Sequence, residues 1–448
     1  MKQKIYQKKI PAKIVKVNLE LLRTGNIEQK MKKEENNIRL YLFILIMGGA
    51  AGAVIWIFLK AVSVCTSFIW KTVPSYKGLS LLPLLICVFG GAVTGILHKK
   101  FKNYPEDLTV IMDKIKNEKY YPYQDIIPML LCAFIPLICC SSVGPEAGLT
   151  GIIAALCYWV GDNITYAKSH SEELSEIGEA VTLGQLFRSP LFGIFEVEES
   201  EDPQRDIKTI SKGYKLLYYG LSTAASFMVI SGLNSIFGKS MEGFPSFSDV
   251  EMSVPDFALL IIYIPIGLLL FLLFVFFEKL TENIGSRVPV IAKEIICGTV
   301  IGIMGIALPM VMSSGEEQMG ELMETYSGYA PVLLVGVCIL KLLMTTFCIN
   351  FGMKGGHFFP LIFACTCMGL ALSMMIFEMP EVHAPFAAAA VTATVLGASL
   401  KKPVAASFLL LLCFPAKVLL WTLVCATIGS KVSDLIEGKL NKNREIKQ

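Results

Sequence analysis

Charge is scarce in this 448-residue sequence: Asp, Glu, Lys and Arg together make up only 17% of it. A soluble protein of this size needs about a quarter of its residues charged to coat its surface, so a water-soluble globular protein is excluded. The net charge is +3, which excludes a strongly basic nucleic-acid binder and an acidic disordered chain. Histidine is rarer still, and His98, His170, His357 and His383 stand far apart. None of the 13 cysteines forms a CxxC pair; Cys365 and Cys367 are too close together for a zinc clip and have no second pair. Neither a disulfide scaffold, a metal site nor a cofactor is expected. The cysteines lie in apolar runs, where they serve as small packing residues. A membrane enzyme would want an HExxH helix or clustered His, Asp and Glu, and the sequence has neither, so no enzyme is expected.

What the sequence has instead is apolar surface. Hydrophobic residues are 54% of the chain and the mean hydropathy is +0.59, the balance of an all-α polytopic membrane protein. The runs 41–59, 78–97 and 258–277 are each long enough to cross a bilayer. Others are punctuated. Pro128, Pro136, Gly144, Pro145 and Gly148 interrupt 126–160, and Gly352, Gly355, Gly356 and Pro360 interrupt 351–376. Backbone broken at membrane depth persists only where protein buries it or where it lines a cavity.

Charge collects at the ends. Residues 1–39 are rich in lysine, and Lys439, Lys442, Arg444 and Lys447 follow Ile436. The positive-inside rule then puts both termini in the cytoplasm of a cell membrane crossed many times; the alternative role for these ends is binding of anionic lipid. The first stretch is too long and too charged for a secretory signal peptide.

The chain also echoes itself. The stretch from Leu183-Gly184 to Pro190-Leu191 reads against the one from Leu396-Gly397 to Pro403-Val404. The offset is 213 residues from Pro190 to Pro403, and 215 from Pro145 to Pro360. Two repeats are expected, 38–236 and 256–436, with a basic segment 1–37, a connection 237–255 and a basic tail 437–448. Paired broken segments in matching halves point to a site at the repeat interface. A half-helix starting inside the membrane aims unpaired N–H groups and its positive dipole end there, which suits an anion. The plainer alternative is that the glycines merely let helices pack closely.

The residues at these breaks resemble the CLC family of chloride channels and proton-coupled chloride transporters. Gly355-Gly356-His357-Phe358-Phe359-Pro360 is similar to the family's GGxFxP segment, and Ser141-Ser142-Val143-Gly144-Pro145 stands where the family has GxEGP. Asn103-Tyr104-Pro105-Glu106 resembles the end of its GSGIPE, and 397–408 the helix after the second pore segment. The likeness spans roughly 38–435. It implies a homodimer in the lipid bilayer, inverted repeats of tilted and broken helices, and chloride or a similar small anion held by backbone N–H groups. Those groups would belong to Ser142, Val143, Gly144, Gly356, His357, Phe358 and Phe359. No cytoplasmic regulatory domain is expected.

Several positions depart from the family pattern. Val143 stands where the gating glutamate is expected, Lys102 where a serine would contact the central anion, and no tyrosine follows Tyr329. The internal proton-relay position falls on Ser200, or on Glu199 after a one-residue shift. Lys102 is either a cation at the inner mouth or an ordinary lysine beside Lys99 and Lys100. Glu146, three residues after Val143, is expected to satisfy N–H groups of its own helix start; the alternative is a carboxylate that swings back as a displaced gate. His357 is expected as a hydrogen-bonded helix-start residue rather than a titrating sensor. Glu316 and Glu317 read as first-turn acids. The reading these residues give is uncoupled, channel-like passage of small anions. A proton-coupled antiporter using Glu146 and Glu199 is the runner-up, and an integral-membrane enzyme or a non-conducting anion sensor the third possibility.

Overall fold

A computed structural model describes residues 12–72, 81–101, 104–107, 110, 111, 114, 118, 120–163, 171–187, 189–199, 212–240, 245–247, 249, 250 and 252–445. Their side chains are described except at 12–37, 161, 171–176, 196–199, 212–215 and beyond 436. The described residues form helices and turns, with one isolated backbone bridge, Gly144 to Gly356.

In the first half α1 (Ala12–Ser67) is followed by α2 (Leu82–Lys100), α3 (Ile126–Ile138), α4 (Glu146–Asn163), α5 (Ser171–Leu186), α6 (Pro190–Glu199) and α7 (Lys212–Phe237). A short α8 (Val254–Ala258) and α9 (Leu260–Gly285) open the second half. Then come α10 (Val290–Ala307), α11 (Glu316–Thr325), α12 (Pro331–Asn350), α13 (Phe358–Ile376), α14 (Pro380–Leu400), α15 (Pro403–Leu409) and α16 (Leu419–Glu445). The order repeats: α3, a break, α4, α5 and proline-started α6 correspond to α12, a break, α13, α14 and proline-started α15. The halves meet where α2 lies on α10 and α6 on α15. Proline at the first positions of α12, α14 and α15 fits because that N–H has no intrahelical partner. Helix runs unbroken from Ala12 to Ser67; Lys, Glu, Gln and Met are good helix formers.

Nine helices among the described residues are long and apolar enough to cross a membrane. They sort by burial. The α13 and α14 windows are 78% and 83% buried, whereas those of α7, α9 and α10 are each 28% buried. Apolar residues such as Ile261 and Met228 therefore face outward, an arrangement that water opposes and lipid favours. The connection between halves is strapped to the second repeat. Phe247 donates its N–H to the Cys413 carbonyl at 2.8 Å and stacks on Phe414. Lys417 donates to Asp249 at 2.6 Å and holds that carboxyl below its usual range.

Candidate functional site

The site is built from two helix interruptions. Helix α3 stops beyond Pro136; Cys140 adopts a positive φ of 57°, and Ser141 donates both its N–H and its hydroxyl to the Pro136 carbonyl. In the second half α12 ends at Asn350 and Gly352 turns the chain at φ 96°, a conformation glycine adopts without steric cost. The two segments then run past each other and exchange hydrogen bonds: Gly144 N–H to Gly356 O and Gly356 N–H to Gly144 O, both 2.8 Å. This close approach requires glycine. A Cβ on Gly144 would meet the Glu146 carboxylate and the Phe359 ring, and one on Gly356 would run into the Glu146 carboxyl carbon. The starts of α4 and α13 are thereby held face to face in the protein interior.

One acid lies between them. Glu146 is 1% exposed, and its Oε1 accepts the Phe358 N–H at 2.9 Å. Its Oε2 is buried without a partner. The carboxylate thus sits on the free N–H groups at the start of α13, the groups that a bound anion would use. Phe187 stacks on Phe359 at 4.6 Å and meets Phe358 edge-on at 6.1 Å, closing the site with aromatic rings. Ser142 and Thr345 of α12 share a hydroxyl contact of 3.2 Å, so the first break is tied to the second repeat.

Above the breaks lies a cavity of about 970 Å³, with Val143, Ser141 and Pro145 at its floor and Lys71, Lys239 and Glu317 around it. Val143 is fully buried beneath it, against Gly355. Behind the floor is a charge no motif announced: the fully buried Lys341 donates to the carbonyls of Val311, Met312 and Ser313 at 3.2, 2.9 and 2.6 Å. It is the lone charged residue in the apolar run 331–350, and that was a signal available to be read.

With this geometry in hand, comparison with known proteins decides the family. The profile described as voltage gated chloride channel matches residues 90–434. The chain belongs to the voltage gated chloride channel family. No curated protein sequence matches it. Its fold is shared with a slow cyanobacterial Cl⁻/H⁺ antiporter (19% identity, TM-score 0.75, covering 90% of this chain and 95% of the other). It is shared equally with a CLC-type fluoride/proton antiporter (19%, 0.70, 88% and 95%) and a eukaryotic CLC transporter (15%, 0.68, 89% and 72%). Members of this family are channels and transporters of chloride and similar anions, and this chain is a multi-pass membrane protein of the family.

Within this chloride channel fold Ser142, Val143, Gly144, Glu146, Gly356, His357, Phe358 and Phe359 all come together at the facing helix starts. His357 occupies the position before α13, with no side-chain cap, and its ring lies against Phe358 and Phe274. Glu316 and Glu317 form the first turn of α11. Lys102 and Ser200 lie outside the described residues, as does the side chain of Glu199, which ends α6. A second buried acid escaped the sequence reading. Glu294 of α10, fully buried, contacts His98 Nδ1 of α2 at 2.7 Å. These two are 196 residues apart in the chain, and nothing local marks either.

Proposed function

We propose that this chain moves small anions, chloride foremost, through the meeting point of its two broken segments, and that Glu146 gates the passage. The observation carrying this reading is the contact of Phe358 N–H with the Glu146 carboxylate at 2.9 Å. A carboxylate oxygen and a halide are alternative acceptors for the same N–H groups at a helix start. An anion entering from the cavity must displace Glu146, and displacement is easiest when the carboxyl takes a proton and loses its charge. Anion passage and protonation are thereby linked, with Glu146 doing what Val143 lacks the chemistry to do. Ser142, Val143, Gly144, Gly356, His357, Phe358 and Phe359 supply the backbone of the anion path. Lys102 and Glu199 or Ser200 are assigned to its far mouth and proton supply. The repeats 38–236 and 256–436 act as one pathway per subunit of a homodimer in the cell membrane; a detergent-free mass of about twice 49.3 kDa tests the dimer.

The second reading is uncoupled conduction, favoured by Val143 at the gate position. Efflux of chloride from liposomes holding the purified protein separates the two. If Glu146 gates, wild-type efflux depends on external pH, Glu146→Gln abolishes that dependence, and a chloride gradient drives protons uphill. A Glu146→Gln profile identical to wild type rejects the gate. Efflux without proton movement selects the channel, and no efflux of chloride, fluoride or nitrate selects the anion sensor.

A further inference from the structure

A buried acid that the anion path leaves unused stands on the other side of the breaks. Helices α2 and α10 run antiparallel: Gly302 packs on Leu84, Gly298 on the Cys87 carbonyl, Gly91 on the Glu294 carbonyl and Gly95 on Ile291. Gly305, near the end of α10, lines the cavity. Glu294 lies 11 residues earlier, about 16 Å down the helix at 1.5 Å per residue. Here its carboxylate packs against Gly352, the turn that opens the second broken segment, and a Cβ on Gly352 would strike it. His98 is its partner. Both side chains are shut away, 1% exposed for His98 and 0% for Glu294.

The hydrogen bonds fix where the protons are. His98 Nε2 lies 2.5 Å from the Tyr104 carbonyl, which can only accept, so Nε2 carries a hydrogen. The 2.7 Å contact between Nδ1 and Glu294 Oε1 requires one more proton, on one side or the other. With that single proton the pair is neutral overall, either imidazolium with carboxylate or imidazole with carboxylic acid. Glu294 Oε2, beside Gly95, is buried with no partner at all. It is the oxygen of the pair with no hydrogen bond, and so the one freest to take a second proton.

We infer that Glu294 and His98 form a proton-holding site behind Gly352, on the side of the anion path away from the cavity, which loads and unloads a proton at Glu294 Oε2. In the imidazolium–carboxylate form the proton adds to that oxygen with no other bond changed; in the imidazole–acid form the shared proton passes from Oε1 to Nδ1 as the new one arrives, and unloading reverses either step. Half-buried Lys354, in the segment after Gly352, is within electrostatic reach of Glu294, Glu106 and exposed Asp107. The groups facing the pair from the elements packed on it are Cys132 of α3, Cys297 of α10, Tyr104, and Lys293 and Lys354. The 104–107 segment adds Glu106, which is paired with Lys114, and Asp107. The inference rests on the proton-linked reading of Glu146 and adds, on the opposite side, a proton-holding station separate from the Glu199 or Ser200 position.

The test uses full-length protein in liposomes, with two readouts. Infrared difference spectra between acid and neutral pH report each carboxyl that gains a proton. A pH-sensitive dye reports protons moved per chloride under a chloride gradient. Glu294→Gln, which keeps the shape and the acceptor toward His98, is expected to remove one carboxyl band and to lower the proton-to-chloride ratio about tenfold. His98→Gln shifts that same band, Glu146→Gln removes a different one, and Glu294→Asp restores part of the ratio. An unchanged carboxyl spectrum in Glu294→Gln, an unchanged ratio, or a wild-type protein that moves no protons overturns the inference. Failure of the Glu146 gate is seen separately, as an unaltered pH profile of chloride efflux in Glu146→Gln.

Discussion

Glu146 and Gly356 are a matched pair, and neither residue makes sense alone. The carboxylate reaches the Phe358 N–H only because Gly356 presents no side chain to the space it crosses. Gly356→Ala is therefore expected to expel the carboxylate or push the segments apart, at a cost of about 1–3 kcal/mol for overpacking. The cause is checked by a double-mutant cycle on thermal unfolding in detergent. In a Glu146→Ala background the space is vacant, so Gly356→Ala is expected to cost less by about 1–2 kcal/mol. Strict additivity would mean that Gly356 is needed for the backbone alone. As a control, Gly220→Ala, inside a helix with nothing within 4 Å, is expected to cost nothing and to gain about 0.5–1 kcal/mol. The sequence showed that an acid follows Val143 by three residues. Where that acid points was not legible, because its partner comes from a segment 212 residues away and the choice is one of side-chain rotation. The same holds for Glu294 and His98, whose meeting depends on how α2 and α10 cross.

That crossing is set by glycines on both helices. Between lipid-bathed helices there is no hydrophobic drive to associate, so contact depends on small residues that let backbones touch. Gly91 and Gly298 each meet a carbonyl of the opposite helix, and Gly302 meets the body of Leu84. Gly298→Leu is expected to part α2 from α10 and to cost about 1–3 kcal/mol or more. It should show as a lowered melting temperature together with loss of pH-dependent efflux, since Glu294 and His98 separate with the helices. Gly336→Ala in α12 is the counterpart. Nothing lies near it, and alanine in a helix interior gains about 0.5–1 kcal/mol over glycine. If Gly298→Leu melted no lower than Gly336→Ala, the close crossing would not be what holds these helices. At this scale the sequence was informative. The Pro190 and Pro403 echo marked two matching helices, and Gly352 to Pro360 marked the break before α13. The length of α1 was not legible, because its lysines read as topology before they read as helix.

The distribution of charge over the whole molecule gives it an orientation. Helix α1 leads to Lys71, at the rim of the cavity, and α16 starts next to Lys417, whose partner Asp249 lies close to cavity-lining Pro245. Both terminal helices therefore have one end at the cavity face and run toward the other face. That other face is the one reached by the end of α2 with Lys99 and Lys100, and by the start of α10 with Lys293. On the cavity face Lys71 and Lys417 are paired with Glu317 and Asp249; the run of lysines at the chain ends, with Lys99, Lys100 and Lys293, belongs to the other face, which the positive-inside rule predicts to be cytoplasmic. On that expectation the cavity opens outward and the Glu294–His98 pair faces the cell interior. Single cysteines report this directly, because the described native thiols are buried apart from half-buried Cys65. An impermeant thiol reagent applied to intact cells is expected to label Lys71→Cys and Lys239→Cys. Lys99→Cys and a cysteine placed at Lys447 should react only after the membrane is opened. Labelling of Lys99→Cys from outside would invert the molecule and move the proton-holding pair to the outer side. Labelling of only one of the two cytoplasmic positions would break the argument that both terminal helices run from the same face.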